Sequence, residues 1–192
     1  MHSFVELFGD FLDKDIKKLF ESVNIEKCNL DTANRNLKVV CKSASYIDSE
    51  SISKVKNLVK SALGLTDCSI ECCFSSDAFC EKACEDIVGE IRVKYAVLNG
   101  YFNSATYKIV EDQVCIELKY GGKKQIDESG FEKLFCGIVK RRFDKDITLN
   151  FSGELETVEM EKVTPAPVQS EAPKRASAPK PKEKITFEKS DT

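Results

Sequence analysis

Lys27-Cys28-Asn29-Leu30, then Asp31-Thr32-Ala33-Asn34-Arg35-Asn36, then Leu37-Lys38-Val39-Val40-Cys41 is the stretch on which the fold turns. Two short β-prone runs flank six residues rich in Asn and Asp, a pattern that predicts a strand, a tight turn and a second strand. A helix is predicted from about Ser51 to Leu63, and Ser69 to Cys73 closes the unit. The same order returns downstream. Thr106 to Val110 and Val114 to Leu118 flank Glu111-Asp112-Gln113, a helix is predicted from Ser129 to Phe143, and Ile147 to Phe151 closes the second unit. The two helices share an apolar rhythm, Ile52, Val55, Leu58, Val59, Ala62 and Leu63 against Phe131, Leu134, Phe135, Ile138 and Val139. That rhythm is one face of a 3.6-residue period, so each helix needs a sheet face to cover.

Working outward, Leu12, Ile16, Leu19, Phe20 and Val23 predict a helix ahead of the first unit, with Asp13 and Asp15 in its first turn. Between the units, Asp77 or a nearby serine is expected to cap a helix running to about Leu98. Its apolar face would hold Cys84, Ile87, Ile91, Tyr95 and Leu98, and Asn99-Gly100 would end it. The second unit thus reads helix, strand, strand, helix, strand. The fold class is α+β: two small modules, each a three-stranded sheet covered by helices, over 1–75 and 76–153. Units of this size are marginal alone, so they are expected to pack together. Residues 154–192 read as a linker. All five prolines fall between Pro165 and Pro181, so Thr164 to Lys184 should be extended and without a core. Beyond it, Lys184-Ile185-Thr186-Phe187-Glu188 reads as the start of a further ordered part, and a downstream domain is expected.

Composition narrows the function. The chain is 42% hydrophobic and 32% charged, as in soluble domains, and no apolar run approaches the roughly 18 to 20 residues that cross a bilayer. Met1-His2-Ser3-Phe4-Val5-Glu6 has no secretory character, and a cytoplasmic location is expected. Residues 1–153 carry 22 basic and 24 acidic side chains, so charge alone would not draw nucleic acid. The nine cysteines sit where small apolar residues would fit, and are read as structural thiols in a reducing compartment. Cys72, Cys73, Cys80 and Cys84 form the densest group, but without a C-x2-C pair, and no metal ligands are assigned.

Traces of catalysis are absent from the sequence. His2 is the single histidine, and neither G-x-x-x-x-G-K-[ST] nor G-x-G-x-x-G occurs. No catalytic residue is assigned. One stretch, Tyr120-Gly121-Gly122-Lys123-Lys124, has ligand-binding character: glycines let a backbone approach a phosphate, and lysines supply charge. Lys119, Gly121, Gly122, Lys123 and Lys124 are the weak candidates for nucleic-acid contact, against the plainer reading of a glycine turn with solvated lysines. Lys140-Arg141-Arg142, near the end of the last helix, complements the helix dipole.

Asp15-Ile16-Lys17-Lys18-Leu19 with the hairpin Cys28 to Cys41, and Gln113-Val114-Cys115-Ile116-Glu117-Leu118 leading to Phe131 to Phe143, resemble the N-terminal region of the PolC-type DNA polymerase III alpha subunit, a Gram-positive replicative polymerase. The low-complexity linker is placed as in that family. The resemblance covers residues 1 to about 155. It implies a first module similar to a clamp-loader tau domain, a second similar to a type II KH fold, and docking of the tau subunit or another replisome protein. It also implies a parent chain that is a DNA-directed DNA polymerase with a proofreading exonuclease, using magnesium and zinc outside these residues. A KH module clamps nucleic acid through a G-x-x-G loop between helices, whereas this chain offers Gly121-Gly122-Lys123-Lys124. The alternative reading is a free-standing KH-like nucleic-acid-binding protein.

Overall fold

The computed structural model describes residues 2–156, so the expectations for the proline-rich segment and for Lys184 to Glu188 lie outside the described residues. The first part comprises β1 (His2–Ser3), α1 (Phe4–Phe8), a 3-10 turn over Gly9–Phe11, α2 (Lys14–Leu19), β2 (Asn24–Asp31), β3 (Asn36–Ser43), α3 (Ser49–Ala62) and β4 (Asp67–Phe74). After a 3-10 turn over Ser76–Ala78 come α4 (Glu81–Lys94), another over Ala96–Leu98, β5 (Thr106–Val110), β6 (Gln113–Leu118), α5 (Lys123–Glu128), α6 (Phe131–Phe143) and β7 (Thr148–Gly153). No helix among the described residues is long and apolar enough to cross a membrane.

The architecture is α+β with two mixed sheets, ordered β1-β2-β3-β4 and β5-β6-β7. In each, an antiparallel hairpin is joined by a strand that returns parallel: β2 with β3 then β4, and β5 with β6 then β7. Parallel return requires a crossover, and α3 supplies the first while α5 and α6 supply the second. The duplicated sequence pattern is therefore a duplicated topology. The first turn is held by Asp31, whose carboxylate accepts from the Asn34 backbone N–H at 3.1 Å and from its side-chain amide at 2.7 Å. Those bonds, the side-chain one foremost, hold the Asp31 carboxyl below the ordinary carboxylate range.

Several expected elements differ. The first sheet gains a fourth, two-residue strand where His2 and Ser3 pair with Ile25 and Asn24. The helix expected across Leu12 to Val23 is interrupted: Leu12 is extended, and Asp13 is the N-cap of α2, accepting from the Ile16 N–H at 2.9 Å. An aspartate cap starts a helix at the residue after it, whatever apolar spacing precedes. Ile16, Phe20 and Val23 are buried, whereas Leu19 is half exposed. Asp77 lies in the 3-10 turn, so α4 begins at Glu81 with Cys80 at its N-cap position and no side-chain cap bond. Tyr95 leaves the helix and is exposed, while Ala83 and Val88 join Cys84, Ile87 and Ile91 on the buried face. The last helix begins at Phe131, because α5 occupies the preceding stretch and Gly130, at φ +70°, separates the two.

The buried side chains form one connected core. Val55 and Val59 of α3 pack with Leu37, Val39 and Cys41 of β3 and Cys68, Ile70 and Cys72 of β4; Leu58 and Leu63, at the rim of the expected stripe, are exposed. In the second part Phe131, Phe135 and Val139 of α6 cover Val114, Ile116 and Leu118 of β6. The two parts meet at Phe143, whose ring lies 5.2 Å from Phe74 and 5.1 Å from Phe79. Burying one such side chain contributes roughly 1.5–3 kcal/mol. Asp86 of α4 adds a polar link, accepting from the Tyr46 hydroxyl and the Ser49 N–H, each at 2.8 Å. Burial, then that bond, raises the Tyr46 phenol above its ordinary range.

Candidate functional site

The glycine-lysine stretch predicted from sequence leads from β6 into α5. Gly121 and Gly122 are buried and left-handed, at φ +69° and +90°. A Cβ on Gly122 would run into the Tyr101 ring, so this position requires glycine. Lys119 pairs with Glu117 at 2.7 Å. Lys123 pairs with Asp127 and stands 4.8 Å from the Phe151 ring centroid, and Lys124 lies 4.0 Å from Glu128. The structure thus gathers the five candidates at one end of the second sheet, with the glycines beneath Tyr101 and each lysine beside a carboxylate of its own segment. Pairs this exposed are screened by solvent and add little to stability.

The joint between α5 and α6 is a different stretch, Asp127-Glu128-Ser129-Gly130. The Ser129 hydroxyl donates to the Ile126 carbonyl at 2.6 Å, closing the turn. Two carboxylates therefore stand where the helices meet. A shallow hollow beside the joint, about 630 Å³, is lined by Lys123, Asp127, Gly130, Glu132, Lys133 and Cys136.

A second feature was not legible in the sequence. β4 is the outer strand of the first sheet, and a groove of about 380 Å³ runs along it. Its floor is the unbroken run Ser69 to Phe74. Side chains alternate between the faces of a sheet, so six consecutive residues reach one cavity only along an open edge. One wall is α3, through Ser49, Ile52, Ser53 and Lys56; the other is the ends of α4 and α6, through Glu90, Lys94, Arg141 and Arg142. Glu71 pairs with Lys38 at 3.1 Å, and Arg142 forks onto Glu90 at 2.7 and 2.9 Å. Lys56, Lys94 and Arg141 have no ion partner among the described residues. The basic run at 140–142 was visible in sequence, but its facing strand was not.

All nine cysteines are free thiols. Cys41 and Cys72 are register partners across β3 and β4, and both are buried. Their hydrogen bond, with burial adding to it, keeps the Cys41 thiol protonated well above the ordinary thiol range. Burial pushes the Cys84 thiol up to about 12. Among the described residues no group of histidine, cysteine or acidic side chains is placed to hold a metal ion.

No protein-family model matches this chain, and a search of curated proteins returns no relative.

Proposed function

We propose that these residues form the non-catalytic N-terminal interaction region of a PolC-type DNA polymerase III alpha subunit, acting in DNA replication by docking a replisome protein, with the clamp-loader tau subunit as the expected partner. The resemblance of the sequence motifs to that region supports the reading, as does the duplicated strand, strand, helix, strand topology. The order α4, β5, β6, α5, α6, β7 suits the type II KH likeness of the second module. One observation carries docking over nucleic-acid clamping. Where a KH module presents its G-x-x-G loop to a phosphate backbone, this chain has Asp127-Glu128-Ser129-Gly130, with one glycine in place of two and with carboxylates that pair with Lys123 and Lys124, so the joint offers no net positive charge to a phosphate. Val93 and Val97, 88% and 63% exposed beyond the core face of α4, offer apolar surface for a protein partner.

Titration calorimetry against the purified tau subunit tests this. A direct complex is expected, with an affinity that changes little between low and physiological salt and that falls when Val93→Asp is introduced. Binding to an oligothymidylate should be weak, with a log-log salt slope of roughly −2 if Lys119, Lys123 and Lys124 each neutralise one phosphate. Tight, salt-tolerant single-strand binding that Lys123→Ala and Lys124→Ala abolish would favour the free-standing KH-like protein. Failure to form any tau complex would overturn the proposal.

A further inference from the structure

We infer that the open edge of β4 binds a peptide segment in extended conformation, acidic in character, as a fifth strand of the first sheet. The inference deepens the docking reading by naming the kind of segment captured. It rests on that reading for the source of the peptide, not for the chemistry of the groove.

An unpaired strand edge offers main-chain donors and acceptors that another strand can complete, and proteins usually blunt such edges with lysine, proline, a bulge or a covering element. β4 carries no lysine, proline or bulge, and α6 meets it at its Phe74 end. Asp67-Cys68-Ser69-Ile70-Glu71-Cys72-Cys73-Phe74 contains no proline or lysine, and its register with β3 is unbroken from Asn36 opposite Asp67 to Ser43 opposite Phe74. The opposite edge of the same sheet is treated differently: β2 bears Lys27, a register shift between Ile25 and Lys27, and the short cover of β1. One edge is guarded, and the other is left as the floor of a groove.

The walls select the occupant. Glu71 and Glu90 are each matched by a cation, while Lys56, Lys94 and Arg141 are not, so the groove has an excess of unmatched positive charge. Half-buried Ile52 adds apolar surface on the α3 side. Side chains of an added strand alternate between the two walls, so acidic groups on one side and apolar groups on the other satisfy both. Phe74 and Phe143 stack at the far end and stop the groove there. A nucleic-acid backbone would meet the same cations, but its phosphates only accept hydrogen bonds and would leave the carbonyls of the edge unmatched. Peptide is the better complement.

The test uses the full chain and fluorescein-labelled synthetic peptides of about ten residues alternating valine with glutamate, a length that spans one strand. Three controls accompany it: lysine in place of glutamate, proline at alternate positions, and an oligothymidylate of similar length. The acidic peptide should bind, at least about tenfold tighter than the lysine version, as expected when several charge pairs switch from attraction to repulsion. Proline should abolish binding, and amide shifts should concentrate in Asp67 to Cys73. Lys94→Glu with Arg141→Glu, both on exposed side chains, should weaken the acidic peptide about tenfold with the melting temperature unchanged. Equal binding of the lysine or proline peptide, tighter binding of the oligothymidylate, or shifts elsewhere would overturn the inference. Tau binding without acidic-peptide binding overturns the groove alone; acidic-peptide binding without a tau complex supports the groove and removes the docking reading.

Discussion

The guanidinium of Arg142, on α6, holds the carboxylate of Glu90, on α4, through two parallel hydrogen bonds of 2.7 and 2.9 Å. The fork ties the last turn of α6 to α4 one residue before Phe143 enters the shared aromatic cluster. It also cancels a negative charge in the groove wall and leaves Lys94 and Arg141 to define its sign.

Arg142 and Glu90 are 28% and 33% exposed, so the pair is weaker than a dry one. Charge-assisted bonds of this type contribute about 1.5–3 kcal/mol when well buried, and solvent lowers that to about 1 kcal/mol here. A double-mutant cycle on Glu90→Gln and Arg142→Met, read by urea denaturation, should return a coupling of that size. A coupling near zero would make the fork incidental to stability.

Gly122→Ala should destabilise the fold. A left-handed residue with a Cβ costs about 1–2 kcal/mol, and the clash with Tyr101 adds about 1–3 kcal/mol of overpacking. Adding Tyr101→Ala to the Gly122→Ala chain should relieve the clash, leaving the conformational cost and the cavity left by the lost ring. Unchanged stability in Gly122→Ala would show that the turn can adopt another path.

Phe143→Ala removes the ring that touches Phe74 and Phe79, and should cost about 3–5 kcal/mol. Because that ring joins the two parts, amide exchange should accelerate in β3 and β6 together. Acceleration confined to β6 would mean that the sheets unfold independently.

Alkaline pH should loosen the structure. Burial pushes the Cys84 thiol from its ordinary 9.0 to about 12 and the Tyr107 phenol from 10.0 to about 12. The folded state therefore keeps protons that the unfolded state releases, so the slope of stability against pH is negative in that range. The contribution is complete below about pH 9 and is lost as pH rises towards 12. Denaturation midpoints taken from pH 8 to 11 should fall, and Cys84→Ala should fall less steeply. A flat profile for the parent chain would contradict the burial of both groups.

The strand and helix pattern was legible because its signals are local. The hairpin at Asp31 to Asn36 is closed by bonds spanning three residues, and α3 and α6 show their buried faces in their own periodicity. The break between Leu12 and Asp13 was harder to read, since apolar residues on either side of a helix cap can both point inward. α5 leaves no such signal: its six residues, Lys123–Glu128, contain one buried apolar side chain, Ile126, which is too little for a period to show.

By itself the sequence determined the α+β class, the repeated strand, strand, helix, strand order, and the charge and glycine content of the Gly121-Gly122-Lys123-Lys124 stretch. It could not say whether those glycines are open or covered, because Tyr101 reaches Gly122 only after the segment between α4 and β5 has folded back. Nor could it show the groove, whose floor at Ser69 to Phe74 and walls at Lys56, Lys94 and Arg141 come from separate elements. Backbone hydrogen bonding and side-chain periodicity act within a few residues and can be read in order along the chain. The charge and shape of a cleft depend on which distant elements pack together, and here the packing of Phe143 on Phe74 decides it.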